Sequence, residues 1–215
     1  MKKNYCQLYR ALCLLAAFAL WTALLGIVDV QPIGPMGSVV GFARLNSFVH
    51  ELCGVHMGLY ILTDWLGLIP LAFAAGFALL GLIQWISRKK LRHVDCSLLV
   101  LGGFYILVFA AYFFFESHVV NYRPILIDGR LEASYPSSTT LLVLCVMPSA
   151  RLCLDKLIKR KELYRYLSCI INIFTVFMVL GRLISGVHWF SDIIGAVLLS
   201  GGLVSLFRYA LRQFS

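Results

Sequence analysis

Long apolar runs separated by short polar or basic segments dominate the 215 residues of this chain. A helix needs about 20 predominantly apolar residues to cross a bilayer, and the runs approach that length. We therefore predict an all-α, polytopic membrane protein in which residues 1–215 form a single membrane-embedded domain. Six spans are predicted, with ends placed to within about four residues: 11–30, 66–87, 97–115, 138–156, 166–185 and 191–208.

The long first connection, residues 31–65, carries structure of its own in this prediction. Four large apolar residues recur there at helical spacing: Phe42, Leu45, Val49 and Leu52. This spacing predicts a short amphipathic helix that lies at the membrane interface. The following stretch, residues 57–86, is too long for one simple span and contains Asp64, so the second span starts after Asp64 or is strongly tilted.

The amino-terminal segment resembles a signal peptide because basic residues precede an apolar run over residues 11–28. That run is longer than the usual hydrophobic region of about 7–15 residues, and no convincing cleavage site follows it. We therefore expect the segment to be retained as the first span.

Basic residues predict the orientation of the chain. Of the 19 Lys and Arg residues, 15 fall at one of four places: before the first span, between spans two and three, from the end of span four to the start of span five, or from the end of span six onward. The positive-inside rule makes this side cytoplasmic, with both termini on it, and we expect the plasma membrane as the location. The net charge of +9 is then explained by topology and contact with anionic lipids, and no nucleic-acid partner is expected.

The remaining four arginines fall on the opposite side of the membrane in this prediction: Arg44, Arg123, Arg130 and Arg182. Positive charge on the translocated side works against insertion, so these residues call for a functional explanation. Three of them cluster in the 116–137 loop and at the end of the fifth span, which predicts an anion site near the extracytoplasmic interface.

One constellation of polar residues carries candidate chemistry. Arg182, His188 and Asp192 lie close together in a chain where ionisable residues are costly to embed. His188 and Asp192 are four apart, which on a helix places them on one face. A carboxylate beside an imidazole fixes its tautomer and raises its nucleophilicity, and a guanidinium provides a planar fork for phosphate.

Two further clusters face the same side. The first is Asn121-Tyr-Arg-Pro124, and the second is Tyr135-Pro-Ser-Ser-Thr-Thr140 at the start of the fourth span. A Pro-Ser-Ser-Thr turn that opens a helix is a natural cradle for an anion, because the first backbone N–H groups of a helix lack internal partners.

The order and spacing of the three clusters resemble those of the type 2 phosphatidic acid phosphatase (PAP2) superfamily of integral membrane lipid phosphatases. Its motifs are Lys-x6-Arg-Pro, Pro-Ser-Gly-His and Ser-Arg-x5-His-x3-Asp. The third motif is complete here apart from Gly181, which replaces the usual serine. The resemblance covers the six-span plan and roughly residues 116–200, and it implies the six-helix membrane bundle of this family.

The resemblance also implies a role for each matching residue. His188 is the nucleophile that forms a phosphohistidine, Asp192 orients it, and Arg123 and Arg182 bind the phosphoryl oxygens. The start of the fourth span helps to hold these oxygens: Ser137, Ser138 and Thr139. The implied substrate is a phospholipid or a polyprenyl phosphate or diphosphate held in the bilayer; no metal or other cofactor is implied, and no oligomeric state is predicted.

Two positions depart from the family pattern. Glu116 stands where the first motif has lysine, and Thr139 stands where the second motif has the histidine that acts as general acid. Loss of a general acid costs typically about 10²–10⁴ in rate. A phosphate leaving group, with a second pKa of about 6, needs the proton far less than an alkoxide does. The departure therefore favours a lipid diphosphate, such as undecaprenyl diphosphate, over phosphatidic acid, unless Glu116 or His118 supplies the proton.

Other interpretations stay open at this point. His188 and Asp192 could form a purely structural pair, and the chain could be a non-hydrolytic lipid-phosphate-binding or scaffold member of the family, or a lipid phosphotransferase. His50, Glu51 and His56 resemble a metal cluster only loosely, and the seven cysteines show no paired spacing.

Overall fold

Helices make up nearly all of the computed structural model, which describes residues 2–214, with side chains described from Tyr5 onward. The eight α-helices are α1 (Lys2–Leu25), α2 (Ala43–Cys53), α3 (Met57–Leu66), α4 (Leu68–Arg88), α5 (Cys96–Ser117), α6 (Ser138–Leu157), α7 (Lys161–Ile184) and α8 (Phe190–Gln213). Two 3-10 helices occupy Pro35–Gly37 and Leu91–His93, and residues 2–214 contain no β-strand. The predicted all-α class is confirmed.

Within residues 2–214, five helical segments are long and apolar enough to cross a membrane: Tyr5–Leu25, Met57–Arg88, Cys96–Ser117, Lys161–Ile184 and Phe190–Gln213. They correspond to five of the six predicted spans. The remaining predicted span is α6, which packs against α4, α5, α7 and α8 and buries nine of its 20 residues. Because neighbouring helices surround it, α6 tolerates a more polar sequence than a helix that faces lipid.

The predicted amphipathic helix in the first connection is confirmed as α2. Its Asn46 is completely buried, and the side-chain amide donates to the Gly41 carbonyl at 2.8 Å and to Ser191 Oγ at 3.0 Å. The Ser191 N–H in turn donates to Asn46 Oδ1 at 3.0 Å. These bonds fix α2 to the first turn of α8, while Phe48 and Leu52 remain exposed.

The second span is divided between α3 and α4. The division falls at Gly67, after Asp64, so the long part of the span starts after Asp64, as one of the two alternatives predicted. Pro70 explains the break, since it has no N–H for the Leu66 carbonyl and its ring clashes with that carbonyl. Asp64 therefore lies in the short helix α3, at one end of the bundle.

The helices alternate in direction, so the bundle has two chemically different ends. The Trp21 indole donates to the Ser191 carbonyl at 3.1 Å, while Arg10 lies within electrostatic range of Arg208, which makes α1 antiparallel to α8. We call the end that holds the 118–137 loop and the α7–α8 turn the motif end. The opposite end, where α6 and α8 finish, is the basic end.

Tyr135 marks a close contact that positions the motif end. Its ring is 2% exposed, and its hydroxyl lies 2.7 Å from Thr22 Oγ1. A Cβ at Gly195 would lie only 2.4 Å from the Tyr135 ring, so α8 approaches the 118–137 loop closely because residue 195 is glycine.

Candidate active site

His188 lies in the short turn between α7 and α8, where it is 3% exposed. Its two ring nitrogens face different groups. Nδ1 is 3.1 Å from Ser134 Oγ and 3.8 Å from Asp192 Oδ2, whereas Nε2 is 3.4 Å from Arg182 Nη2. The predicted proximity of the three residues is present, but His188 precedes α8, so the expectation that His188 and Asp192 share a helical face is wrong.

Asp192 occupies the first turn of α8 and is completely buried. Its Oδ2 accepts a hydrogen bond from the Trp189 N–H at 2.8 Å, as an acidic residue in a helix N-terminal turn commonly does. The same oxygen accepts a short hydrogen bond from the Ser134 hydroxyl. Asp192 therefore caps the helix and also supports the histidine, so the structural and functional interpretations of this carboxylate are compatible.

Ser134, which no sequence motif marks, fixes the tautomer of His188. A serine hydroxyl has one proton, and this one is donated to Asp192. The oxygen can then interact with His188 Nδ1 only as an acceptor, so Nδ1 carries the ring proton. The lone pair of the neutral ring is consequently on Nε2, on the side of Arg182.

The protonation state of His188 follows from its surroundings. Burial lowers the pKa of this histidine well below 6.5, and the positive charges of Arg123 and Arg182 lower it further. The imidazole is thus neutral at pH 7 and available as a nucleophile.

Arg182 connects the histidine to α3. Its side chain is 1% exposed, and Nη1 lies 3.4 Å from Thr63 Oγ1 and 3.6 Å from Asp64 Oδ1. Its guanidinium carbon lies 4.9 Å from the centre of the Tyr60 ring, within range of a cation–π interaction. Tyr60, Thr63 and Asp64 share one face of α3 at i, i+3 and i+4, and none was predicted as a site residue.

Arg123 reaches the same aromatic ring from the 118–137 loop. Its guanidinium carbon lies 5.8 Å from the centre of the Tyr60 ring, and Nε lies 3.2 Å from Glu132 Oε2. Glu132 is thus the carboxylate partner of Arg123, although its own side chain is partly exposed. Arg130 and Arg44 are exposed, so of the four arginines predicted on this side only Arg123 and Arg182 enter the site.

The start of α6 contributes less than the resemblance implied. The Ser137 N–H already donates to the Asp192 carbonyl at 3.2 Å, and the Ser137 hydroxyl donates to Thr140 Oγ1 at 3.0 Å. Ser137 therefore ties α6 to α8 and has no backbone N–H left for an anion. Ser138 and Thr139 follow in the first turn, half-buried, where backbone N–H groups have no partner within the helix.

The two departures from the family motifs lie near the site. Thr139 packs against Gly67, close to the Asp64 carbonyl. Glu116, at the end of α5, is exposed and lines a small cavity with Ser134 and Ser138. No group of three or more His, Cys, Asp or Glu suited to a metal occurs among the residues that the structure describes.

His118, the other candidate proton donor from the sequence, bonds within the end of its own helix. Its Nδ1 lies 3.0 Å from both Ser117 Oγ and the Phe114 carbonyl, and its ring stacks on Phe114. These contacts do not support a role for His118 as a substitute acid.

Comparisons with known proteins define the class. The sequence model of the PAP2 superfamily matches residues 104–215, which include all three clusters, so the chain belongs to the PAP2 superfamily. The fold resembles a crystal structure described as the first transmembrane PAP2 type phosphatidylglycerolphosphate phosphatase, from Bacillus subtilis. The TM-score is 0.59 at 17% identity, over 96% of this chain and 98% of the other. No curated protein sequence matches the chain.

The geometry around His188 makes a prediction about its tautomer and charge. In nitrogen-15 NMR spectra of histidine-labelled protein, assigned with His188→Gln, we expect the neutral form with Nδ1 protonated, persisting below pH 6.5 because burial and two arginines oppose protonation. Ser134→Ala should mix the two tautomers, whereas Ser134→Thr should preserve the wild-type spectrum. A wild-type ring with Nε2 protonated, or one that titrates at or above pH 6.5, would contradict this arrangement.

Proposed function

We propose that this protein is a membrane lipid phosphatase that hydrolyses a phosphomonoester or diphosphate lipid through a phosphohistidine at His188. The observation that carries the proposal is the orientation of the imidazole ring. Nδ1 is bonded to Ser134, which in turn donates to Asp192, and Nε2 lies beside Arg182. Membership of the PAP2 superfamily supports the same reaction class.

The two arginines would bind the transferring phosphoryl group. Arg123 Nη1 and Arg182 Nε are buried and have no hydrogen-bond partner among the described residues, so each guanidinium retains a donor for phosphoryl oxygens. Fixed positive charges in a site with little water stabilise the charge that spreads over these oxygens in the transition state. The N–H groups of Ser138 and Thr139, which have no partner within their own helix, are suited to the same anion.

Attack by His188 would proceed in line. The Nε2 lone pair forms the N–P bond while the bond to the leaving oxygen breaks on the opposite side of phosphorus. The ring becomes an imidazolium, and its Nδ1 proton remains hydrogen-bonded to Ser134, which passes the influence of the Asp192 carboxylate to the ring.

The leaving group determines the preferred substrate. Thr139 cannot protonate an alkoxide near neutral pH, and the conjugate acid of an alkoxide has a pKa near that of water, about 15.7. A lipid diphosphate releases a lipid phosphate, whose second pKa is about 6, so its departure needs little protonation. We therefore favour a polyprenyl diphosphate such as undecaprenyl diphosphate over phosphatidic acid.

Phosphate release from undecaprenyl diphosphate and phosphatidic acid, measured in parallel with purified protein in detergent, tests the function. We expect turnover to be faster with the diphosphate by roughly the 10²–10⁴-fold that a general acid contributes. His188→Ala should abolish release from both. Faster hydrolysis of phosphatidic acid would overturn the leaving-group argument, and folded protein that releases no phosphate from either lipid would favour a binding or phosphotransferase member.

Asp64 is suited to the second half of the reaction, in which water attacks the phosphohistidine. Its side chain is 60% exposed and lies on the same guanidinium that contacts His188 Nε2. Its carboxylate would take a proton from water as the water oxygen bonds to phosphorus. The N–P electron pair then returns to Nε2, inorganic phosphate leaves, and the proton passes from Asp64 to solvent. The attack of water on the phosphohistidine needs a base, even when the departure of the lipid phosphate needs no acid.

Asp64→Asn should therefore accumulate phosphohistidine during turnover of a lipid diphosphate, because its first half-reaction is retained and its second is slowed by about 10²–10⁴. Acid-labile phosphate on the quenched protein measures the intermediate. Glu132→Gln is the matched control, since Glu132 is also a carboxylate paired with a site arginine, and it should show no accumulation. Equal slowing of both steps in Asp64→Asn would indicate a positioning role instead.

We further propose that the motif end faces the extracytoplasmic side of the plasma membrane and that both termini are cytoplasmic. The support is the segregation of charge. Of the 19 Lys and Arg residues, 15 lie in the first turns of α1 and α7, in the last turns of α4, α6 and α8, or in the connections at the basic end.

Labelling of intact cells with a membrane-impermeant maleimide tests this orientation. In a cysteine-free background, a cysteine at the exposed position of Arg130 should react, whereas one at Lys159 should react only after lysis. The reverse pattern would place the site in the cytoplasm.

A further inference from the structure

A second cavity lies at the basic end of the bundle, at the far end of α8 from His188. It has a volume of about 290 Å³ and is lined by residues of α1, α6 and α8: Gln7, Arg151, Leu152, Arg208, Leu211 and Arg212. We call it the arginine pocket. Three of its six lining side chains are guanidinium-bearing, and none of the six belongs to the candidate active site.

Among the described residues, the charges that act on Arg208 in this pocket are positive. Arg208 interacts electrostatically with Arg10, Arg151 and Arg212, and each interaction is repulsive. Among residues 5–214 no ion pair within 4.0 Å involves any of these four arginines. Four positive groups gathered by three helices, partly shielded from water, repel one another unless an anion lies between them.

Unpaired polar atoms inside the pocket also indicate a missing ligand. The Nε atoms of Arg151 and Arg208 are buried and have no hydrogen-bond partner among the described residues. Within the described part of the chain, the Arg151 side chain donates one hydrogen bond, from Nη1 to Asn172 Oδ1 at 3.3 Å. Buried donors without partners are costly, and a phosphate presents several acceptor oxygens that can satisfy more than one guanidinium at once. The Gln7 carbonyl oxygen, likewise buried and unpaired, is suited to a hydroxyl donor.

The position of the pocket identifies the source of the phosphate. It lies where α6 and α8 end, at the level where lipid headgroups surround a helix bundle, and Leu152 and Leu211 provide apolar walls beside the arginines. Phosphatidylglycerol combines a phosphate, headgroup hydroxyls and acyl chains in one molecule. An anionic phospholipid therefore fits the charge, the unpaired Gln7 oxygen and the apolar walls better than free phosphate does.

We propose that the arginine pocket binds the phosphate of an anionic phospholipid headgroup and so holds α1, α6 and α8 together at the basic end. This inference does not depend on the reaction proposed for His188. The lipid is a structural ligand here, and as a phosphodiester, phosphatidylglycerol has no terminal phosphate to be released.

Thermal unfolding of the purified full-length protein in detergent tests the proposal, with phosphatidylglycerol, phosphatidylcholine or inorganic phosphate added separately. Phosphatidylglycerol at about a hundred times its Kd should raise Tm by roughly 5–10 °C, and phosphatidylcholine should not. An equal rise with millimolar inorganic phosphate would retain a phosphate site but overturn the lipid as its source.

Variants locate the effect. Arg151→Gln and Arg208→Gln should lose the lipid-dependent rise in Tm, each judged against the same variant without lipid. Arg160→Gln is the matched control, because Arg160 is exposed in the α6–α7 connection at the same end and does not line the pocket. Native mass spectrometry should show one retained phosphatidylglycerol on wild-type and Arg160→Gln protein, and none on the two pocket variants. The proposal would be overturned if both pocket variants kept the rise in Tm or the retained lipid. It would also be overturned if wild-type protein showed neither.

Discussion

The buried carboxylate of Asp192 is the interaction on which the motif end depends. It accepts the Trp189 N–H at the start of α8 and the Ser134 hydroxyl from the 118–137 loop. The main-chain carbonyl of the same residue accepts the Ser137 N–H at the start of α6. One residue thus joins two helix starts and a long loop. An unpaired carboxylate in this position would be strongly destabilising, so the loop, the turn and both helices are fixed relative to one another.

Arg123 and Arg182 bury positive charge at the motif end, whereas Asp192 buries a carboxylate there. They share the Tyr60 ring, and each is balanced at one edge by a partly exposed carboxylate, Asp64 for Arg182 and Glu132 for Arg123. Because each carboxylate contacts only one edge of its guanidinium, Arg123 Nη1 and Arg182 Nε have no hydrogen-bond partner among the described residues. These N–H groups can donate to an anion. The cost of embedding two guanidiniums is therefore only partly offset within the chain, which is the expected condition of a site built to bind a charged ligand.

The sequence predicted those parts of the molecule that local patterns encode. Apolar runs of membrane length predicted the long helices, spacing predicted α2, and the rare polar residues identified Arg182, His188 and Asp192. It did not predict Tyr60, Thr63 or Asp64, because α3 meets Arg182 across 119 residues of sequence and no motif marks that face. Ser134 was missed for the same reason: a lone serine in a loop carries no signal until the fold places it between an imidazole and a carboxylate.

Thr139 and Asp64 are best understood together. The motif of the family has a histidine at position 139, and a histidine can serve first as an acid and then as a base. Here the threonine at 139 packs against the residue where α3 gives way to α4, and the nearest turn of α3 presents a carboxylate to Arg182. In the reaction that we propose, this carboxylate accepts a proton from the attacking water. A site that has Asp64 as its proposed base and lacks the motif histidine suits a leaving group that departs as a weakly basic anion. The position of Asp64 on α3 is therefore compatible with the lipid diphosphate that we propose as substrate. Asp64 would act in the attack of water, whereas the missing histidine affects the departure of the lipid.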